Sequence, residues 1–351
     1  MREKLINIIE GLAKEEKFSG VVLINKDNKE FFKGAYGYAH RGWKVPNALD
    51  IRYGTASVTK VFTAVAVLQL IEKGLLNFDT KITELLDLSE SKIPTNVTIK
   101  HLLMHTSGIG DYFDEDSEEA KECILGQVPN YFIKEVSDLL PLLLHKEPVF
   151  EAGTKFSYCN GGYVLLGLAI EKVSGKSYFD YVKENVFLKA GMKYSDFIPL
   201  NKVSDKVAES YIPVENNQGE VTQWKTNVYS IPTYGAPDGG AFVTAEDLMI
   251  FMRALREGKL LSEEMSKAIL TPQVTESEKD GKYFQYSYGI WFLSKEDGVI
   301  RMELSGDDPG LEAIAFYYPK HNIELVILSN MDNSAYALTR IINEMVINSE
   351  I

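Results

Sequence analysis

The strand-like segments of this chain stand at its two ends, and a helical middle separates them. Near the N-terminus Phe18-Ser19-Gly20-Val21-Val22-Leu23-Ile24 reads as a strand, Asn25-Lys26-Asp27-Asn28 as a turn, and Lys29 to Tyr38 as the returning strand. Four more strand-like runs, Tyr286–Leu293, Val299–Leu304, Glu312–Tyr318 and Glu324–Leu328, lie in the last hundred residues. Neither end makes a good sheet by itself. The economical solution joins them in one antiparallel sheet, covered by helices read over residues 2–16 and from about Ala335 to Ile347. The expected class is α+β. Residues 1–75 and 236–351 would form a discontinuous sheet lobe, and 76–235 a mainly helical one.

The middle reads as follows. Asp79 to Leu86 is a short helix, and Thr98 caps a helix that Gly108 stops. Residues 111–123 carry a run of acids expected to be exposed. Phe132 to His145, Tyr163 to Val173 and Tyr178 to Leu188 read as helices, and 196–235 as short polar strand-like pieces. Asp238-Gly239-Gly240-Ala241 is a flexible corner, followed by a helix with Thr244 as N-cap and Asp247 at the capping-box position. No internal repeat or low-complexity segment is present.

Composition excludes some functions. The chain has 351 residues, 45% hydrophobic and 25% charged, the profile of a globular protein with a sizeable core. Its net charge of −13 disfavours a nucleic-acid backbone or an anionic membrane as partner. No apolar run approaches membrane-spanning length, and Met1 to Glu10 lacks the apolar centre of a signal peptide. A cytoplasmic location is expected if the sequence is complete. Two cysteines, Cys123 and Cys159, are too few for a disulfide framework.

The chemistry is expected at Thr55-Ala56-Ser57-Val58-Thr59-Lys60, just before the apolar run Val61 to Ile71. That run has few helix breakers and is too apolar to sit on a surface. Ser57 would lie at the helix N-terminus, where backbone N–H groups and the dipole favour negative charge. Lys60 follows one turn on, on the same face, and burial makes its proton easier to lose. A hydroxyl beside such a lysine is an activated nucleophile. The bland alternative is a helix cap with a lysine reaching to water. A second Ser-x-x-Lys, Ser89 to Lys92, sits in a polar loop and opens no apolar helix.

Other parts of a constellation can be named. Tyr158 offers a phenol to shuttle a proton, and Asn160 an amide to hold Lys60 or a substrate. The same Tyr-x-Asn before Gly161-Gly162 also reads as a turn with a packed aromatic. Cys159, between them, should point the other way as a buried thiol. Of the five histidines, none belongs to a Gly-x-Ser-x-Gly elbow. His101 and His105 have metal-ligand spacing but no accompanying third ligand, which favours a structural role.

Ser57-x-x-Lys60 on an apolar helix, with Tyr158-x-Asn160 about a hundred residues later, resembles the penicillin-recognising serine hydrolases. The resemblance is closest to the branch of class C β-lactamases, D-alanyl-D-alanine carboxypeptidases and esterases. Leu102 to Gly108, Gly162 to Gly167 and Gly239 to Leu248 resemble further segments of that family, in the same order. The resemblance implies a β-lactamase/transpeptidase-like fold and an active site at the seam between lobes. It implies Ser57 as nucleophile, Lys60 and Tyr158 managing protons, and Asn160 on the substrate. Ser305, Gly306 and Asp307 would complete the substrate site, with the N–H groups of Ser57 and Asp307 as the oxyanion hole.

One departure matters. The family places Lys-Thr-Gly or His-x-Gly on the strand lining the site, and Leu304 stands at the position of the cation. Losing that partner for a substrate carboxylate costs on the order of 1.5–3 kcal/mol of selective binding. It also removes a charge that would lower the pKa of Tyr158. The expected substrate is therefore a small ester or a D-amino-acid amide or peptide, with a β-lactam the poorest. No metal or organic cofactor is implied. One rival reading is a non-catalytic binding or assembly protein that kept the fold. A second is a peptidase of another mechanism using His101 or His105.

Overall fold

A computed structural model describes residues 2–113, 125, 128–348 and 351. Strands from both ends of the chain build one eight-stranded antiparallel sheet, as the sequence predicts. In chain order they are β1 (Gly20–Lys26), β2 (Lys29–Tyr36), β3 (Val274–Lys279), β4 (Lys282–Ser287), β5 (Ile290–Lys295), β6 (Gly298–Asp308), β7 (Leu311–Tyr318) and β8 (Ile323–Ser329). Their spatial order is β3-β4-β5-β6-β7-β8-β1-β2. The two ends of the chain meet where Gly20 of β1 pairs Ser329 of β8 on one side and Tyr36 of β2 on the other.

β8 reads Ile-Glu-Leu-Val-Ile-Leu-Ser and is buried throughout because both faces of the sheet are covered. Ile323, Leu325 and Ile327 meet the terminal helices α1 (Arg2–Lys14) and α5 (Ala335–Ile347). Val326 and Leu328 join the larger core on the opposite face, with α2 (Thr59–Glu72), α3 (Asn160–Ser174) and α4 (Ala245–Arg256). Each such side chain contributes about 1.5–3 kcal/mol on burial. Glu324, also buried, is bound by Arg253 and Arg256 of α4. The sheet and the helical middle share one apolar core.

Three expectations need correction, and one strand, β3, was not foreseen. Tyr286–Leu293 is not one strand: the chain turns between β4 and β5. Gly289 in that turn has φ 83°, and a Cβ there would come within 2.6 Å of Val61 Cα, so only glycine passes over α2. β3 (Val-Thr-Glu-Ser-Glu-Lys) escapes a periodicity reading because it is almost wholly exposed and polar. Phe132–His145 is not an α-helix but two 3-10 segments, Asn130–Phe132 and Val136–Leu142. Pro141 removes an N–H there, and Asp138 draws the amides of Lys134 and Glu135 to its side chain. Thr244 does cap α4, but Asp247 does not reach back to it. Its carboxylate accepts the N–H groups of Lys193 and Tyr194 and the Ser195 hydroxyl. Most of the acidic run 111–123 lies outside the described residues.

α2 explains where the site sits. Every residue from Thr59 to Leu70 is buried, so the helix runs through the core and its N-terminus surfaces at the seam.

Candidate active site

Ser57 lies on a single 3-10 turn, Ala56–Val58, that leads into α2. Ala56 has φ 44°, a left-handed conformation uncommon for a residue with a Cβ. The surrounding structure holds it there. Thr55 Oγ1 lies 3.0 Å from Thr59 Oγ1 and donates to the Ala241 carbonyl at 2.9 Å. The Ala241 N–H donates to Thr59 Oγ1 at 3.1 Å. The turn is thus tied to the chain just beyond the glycine corner. Non-glycine residues in this region store about 1–3 kcal/mol of strain and cluster at functional sites.

Lys60 is 1% exposed, yet its Nζ makes three hydrogen bonds. They reach Ser57 Oγ at 2.8 Å, Asn160 Oδ1 at 2.7 Å and the Asp238 carbonyl at 2.8 Å. Two of these acceptors are held in turn. Asn160 opens α3, and its N–H and that of Gly161 donate to the Asp111 carboxylate at 2.6 and 2.9 Å. Burial pushes the Asp111 carboxyl up to about 6 against the pull of those amides. The Tyr112 hydroxyl donates to Asp238 Oδ2 at 2.6 Å, and burial beside Asp238 raises that phenol well above its ordinary range.

Tyr158 meets the same centre. Its ring centroid is 4.9 Å from Lys60 Nζ, and it lines the cleft together with Ser57. Trp291 stacks on it at 6.1 Å and His105 packs against it at 4.3 Å between centroids. His105 is buried and neutral: burial, then the charge of Lys60, hold it well below its ordinary value. Its Nδ1 accepts the Cys159 N–H at 3.0 Å, so Nε2 carries the proton and faces the Tyr286 hydroxyl at 3.0 Å. The Tyr286 hydroxyl meets that of Tyr163, which donates to the Leu103 carbonyl. His105 therefore braces the Tyr158–Asn160 segment. His101 uses its Nδ1 to accept the Thr98 N–H in a capping box. Neither imidazole is arranged as a metal ligand, and no group of metal-binding side chains occurs among the described residues. Cys159 is a buried thiol, raised far above its usual range chiefly by burial.

β6 closes the site. Its pairing with β5 ends at Glu303, so its last residues face the cleft. Gly306 packs on the backbone of the nucleophile turn, and a Cβ there would lie 2.6 Å from the Thr55 carbonyl oxygen. Ser305, Gly306 and Asp307 line the cleft with Ser57. Leu304 does not: it is 5% exposed and packs with Met252, Leu255, Ile290 and Met302 under the sheet. The cleft has a large arm of about 730 Å³ and a small one of about 30 Å³. Trp291 and Tyr336 border the large arm, and Tyr112, Phe113 and Ile231 the small one. Among the described residues neither lining contains a Lys or Arg, whereas Asp307, Asp308, Glu312 and Asp332 border the large arm.

All seven site residues expected from the sequence therefore stand around one cleft. Asp111, Tyr112, Asp238, Trp291 and Tyr336 were missed. The Asp238 corner was visible as a glycine break, but its part is played by a backbone carbonyl, which no side-chain pattern reveals.

Known proteins resemble this chain over nearly its whole length. A family model described as Beta-lactamase matches residues 5–346. The chain is 29% identical over 347 residues to penicillin-binding protein 4* of Bacillus subtilis, covering 94% of this chain and 72% of that protein. The crystal structure of a penicillin-binding protein from Bacillus halodurans superposes with a TM-score of 0.87 at 38% identity, over 96% of this chain and 99% of that one. An octameric penicillin-binding protein homologue from Pyrococcus abyssi gives 0.81 at 26% identity, over 97% and 77%.

Proposed function

The chain belongs to the Beta-lactamase family, and on that premise we propose that it hydrolyses a small ester, or a D-amino-acid amide or peptide, through an acyl-enzyme on Ser57. The observation that carries this is the environment of Lys60 Nζ. A neutral amine has two N–H groups and one lone pair. Once Lys60 has given up a proton, the Asn160 and Asp238 carbonyl oxygens hold its two N–H groups, at 2.7 and 2.8 Å, and its lone pair can take the Ser57 proton across 2.8 Å. Ser57 Oγ attacks the substrate carbonyl as its proton passes to Lys60. The N–H groups of Ser57 and Asp307 stabilise the oxyanion, a contribution of about 2.7–4 kcal/mol per donor in such sites. Tyr158 carries a proton to the leaving group, Asn160 orients the substrate, and water then releases the acyl group.

The lack of a cation at the third-motif position, where Leu304 stands, supports a substrate without a carboxylate at that end. β-Lactams carry one, so they rank last as turnover substrates. Relatives named penicillin-binding proteins suggest that a penicillin acylates Ser57 even where release is slow. The test is labelling with a fluorophosphonate and a fluorescent penicillin, read by intact mass in wild type and Ser57→Ala. A panel of p-nitrophenyl esters and D-amino-acid amides runs beside nitrocefin. Adduct on Ser57 and ester turnover above nitrocefin turnover are expected. Leu304 also favours a second reading, a binding protein that kept the fold. Absence of any Ser57 adduct in wild type would establish that reading instead.

A further inference from the structure

Besides Ser57, the Lys60 amine is held by two carbonyl oxygens, those of Asn160 and Asp238, which lie 100 and 178 residues away. Each sits where the chain needs support from outside. Asn160 is the first residue of α3, and Cys159, at the N-cap position, makes no side-chain cap. Asp238 lies in a corner closed by backbone bonds between Ala236 and Gly239. That corner is hinged on Gly235 and Gly240, whose φ angles of 76° and 107° fall in the region that favours glycine. Two adjacent side chains, Asp111 and Tyr112, supply the support at both places.

Asp111 caps α3 from 49 residues away. Its carboxylate accepts the N–H groups of Asn160 at 2.6 Å, Gly161 at 2.9 Å and Tyr112 at 2.7 Å. A carboxylate placed there also meets the positive end of the helix dipole. Tyr112 serves the other acceptor, its hydroxyl donating to Asp238 Oδ2 at 2.6 Å. Thr63 of α2 holds the same corner from another side, donating to the Pro237 carbonyl at 2.6 Å. Burial keeps the Tyr112 phenol protonated, so it goes on donating. A neutral donor suits this place. An Arg or Lys would also pair with Asp238, but it would bring a second positive charge towards the Lys60 ammonium and oppose it.

On the reading of Ser57 as nucleophile and Lys60 as its base, we propose that Asp111 and Tyr112 are positioning residues that aim the Lys60 amine at Ser57 Oγ, one through Asn160 and the other through Asp238. A base misplaced by about 1 Å loses about 100-fold in rate, so slack in either carbonyl is felt at the hydroxyl.

The test is the rate at which a fluorophosphonate labels Ser57, read by intact mass, beside p-nitrophenyl ester kinetics. Tyr112→Phe and Asp111→Asn are made alone and in combination with Lys60→Met. Tyr112→Phe removes one oxygen and keeps the ring that borders the small arm. Alone, each variant should slow labelling and lower kcat at least tenfold, with KM within twofold of wild type. In the Lys60→Met background the same changes should alter the labelling rate less than twofold, because no amine is left to aim. Thermal melting reports folding, and Tyr112→Phe carries the test by itself should Asp111→Asn fail to fold. A wild-type labelling rate in folded Tyr112→Phe, or an equal loss with and without Lys60, would overturn the proposal and leave Ser57 as nucleophile. Absence of Ser57 labelling in wild type would overturn both the proposal and the reading beneath it.

Discussion

A Cβ on Gly306 would stand 2.5 Å from the backbone nitrogen of Ser57. The third-motif strand and the nucleophile turn therefore touch through bare backbone, and the cleft depends on that contact. Gly306→Ala must displace β6 or the 3-10 turn, since the atoms met are main chain. A displacement near 1 Å at a reacting group costs about 100-fold in rate. Ester kcat/KM should fall by that order, with a loss of about 1–3 kcal/mol in stability from overpacking. Steady-state kinetics beside urea unfolding check both; retention of wild-type kcat/KM would contradict the assignment of this contact.

Lys60→Met keeps the volume and removes the amine. It leaves Asn160 Oδ1 and the Asp238 carbonyl without their donor. Ester turnover should fall about 10²–10⁴-fold, the span of a lost acid–base group. Stopped-flow acylation by a fluorescent penicillin should slow in parallel.

Tyr158→Phe separates the phenol from its ring. The ring keeps its packing on His105 and Trp291, so the melting temperature should barely move. If the hydroxyl shuttles protons, kcat falls about 10²–10⁴-fold while KM changes little. An unchanged kcat would remove Tyr158 from the mechanism.

His105 sets an acid limb of stability. Its folded pKa lies well below the ordinary 6.5, so the unfolded chain takes up a proton that the folded one refuses. The contribution is fully present above about 6.5 and is lost as pH falls below it. Melting temperatures should drop between pH 7 and 5. His105→Phe, though less stable throughout because it loses two hydrogen bonds, should drop less steeply.

Asp111 acts with the opposite sign. Its folded pKa of about 6 exceeds the ordinary 3.8, so ionising it costs the folded state more than the unfolded chain. Stability from this group falls as pH rises from 3.8 to about 6 and is level beyond. The difference in unfolding free energy between wild type and Asp111→Asn should decline across that interval. A constant difference would place the raised pKa elsewhere.

Much of this was legible from local pattern. Ser57 and Lys60 are three residues apart, and any helix places such a pair on one face. β8 is apolar at both parities, which only a strand covered on both sides requires. Asn160 stands just before an apolar helical run and becomes its first residue. Exposed β3 and the broken 130–142 segment were not legible, because neither carries a clean period.

The amino-acid order by itself thus determined the strands at the two ends, the buried helix and the hydroxyl–amine pair at its start, since each is written in residues a few positions apart. Only the tertiary structure decided what completes the pair. The Asp238 carbonyl lies 178 residues from Lys60, and Asn160 lies 100. Such contacts follow from how finished helices and strands pack, and a main-chain carbonyl leaves no mark in the side-chain pattern. The same holds for Leu304: its identity was plain, but only the packing of β6 against α4 turned it away from the cleft.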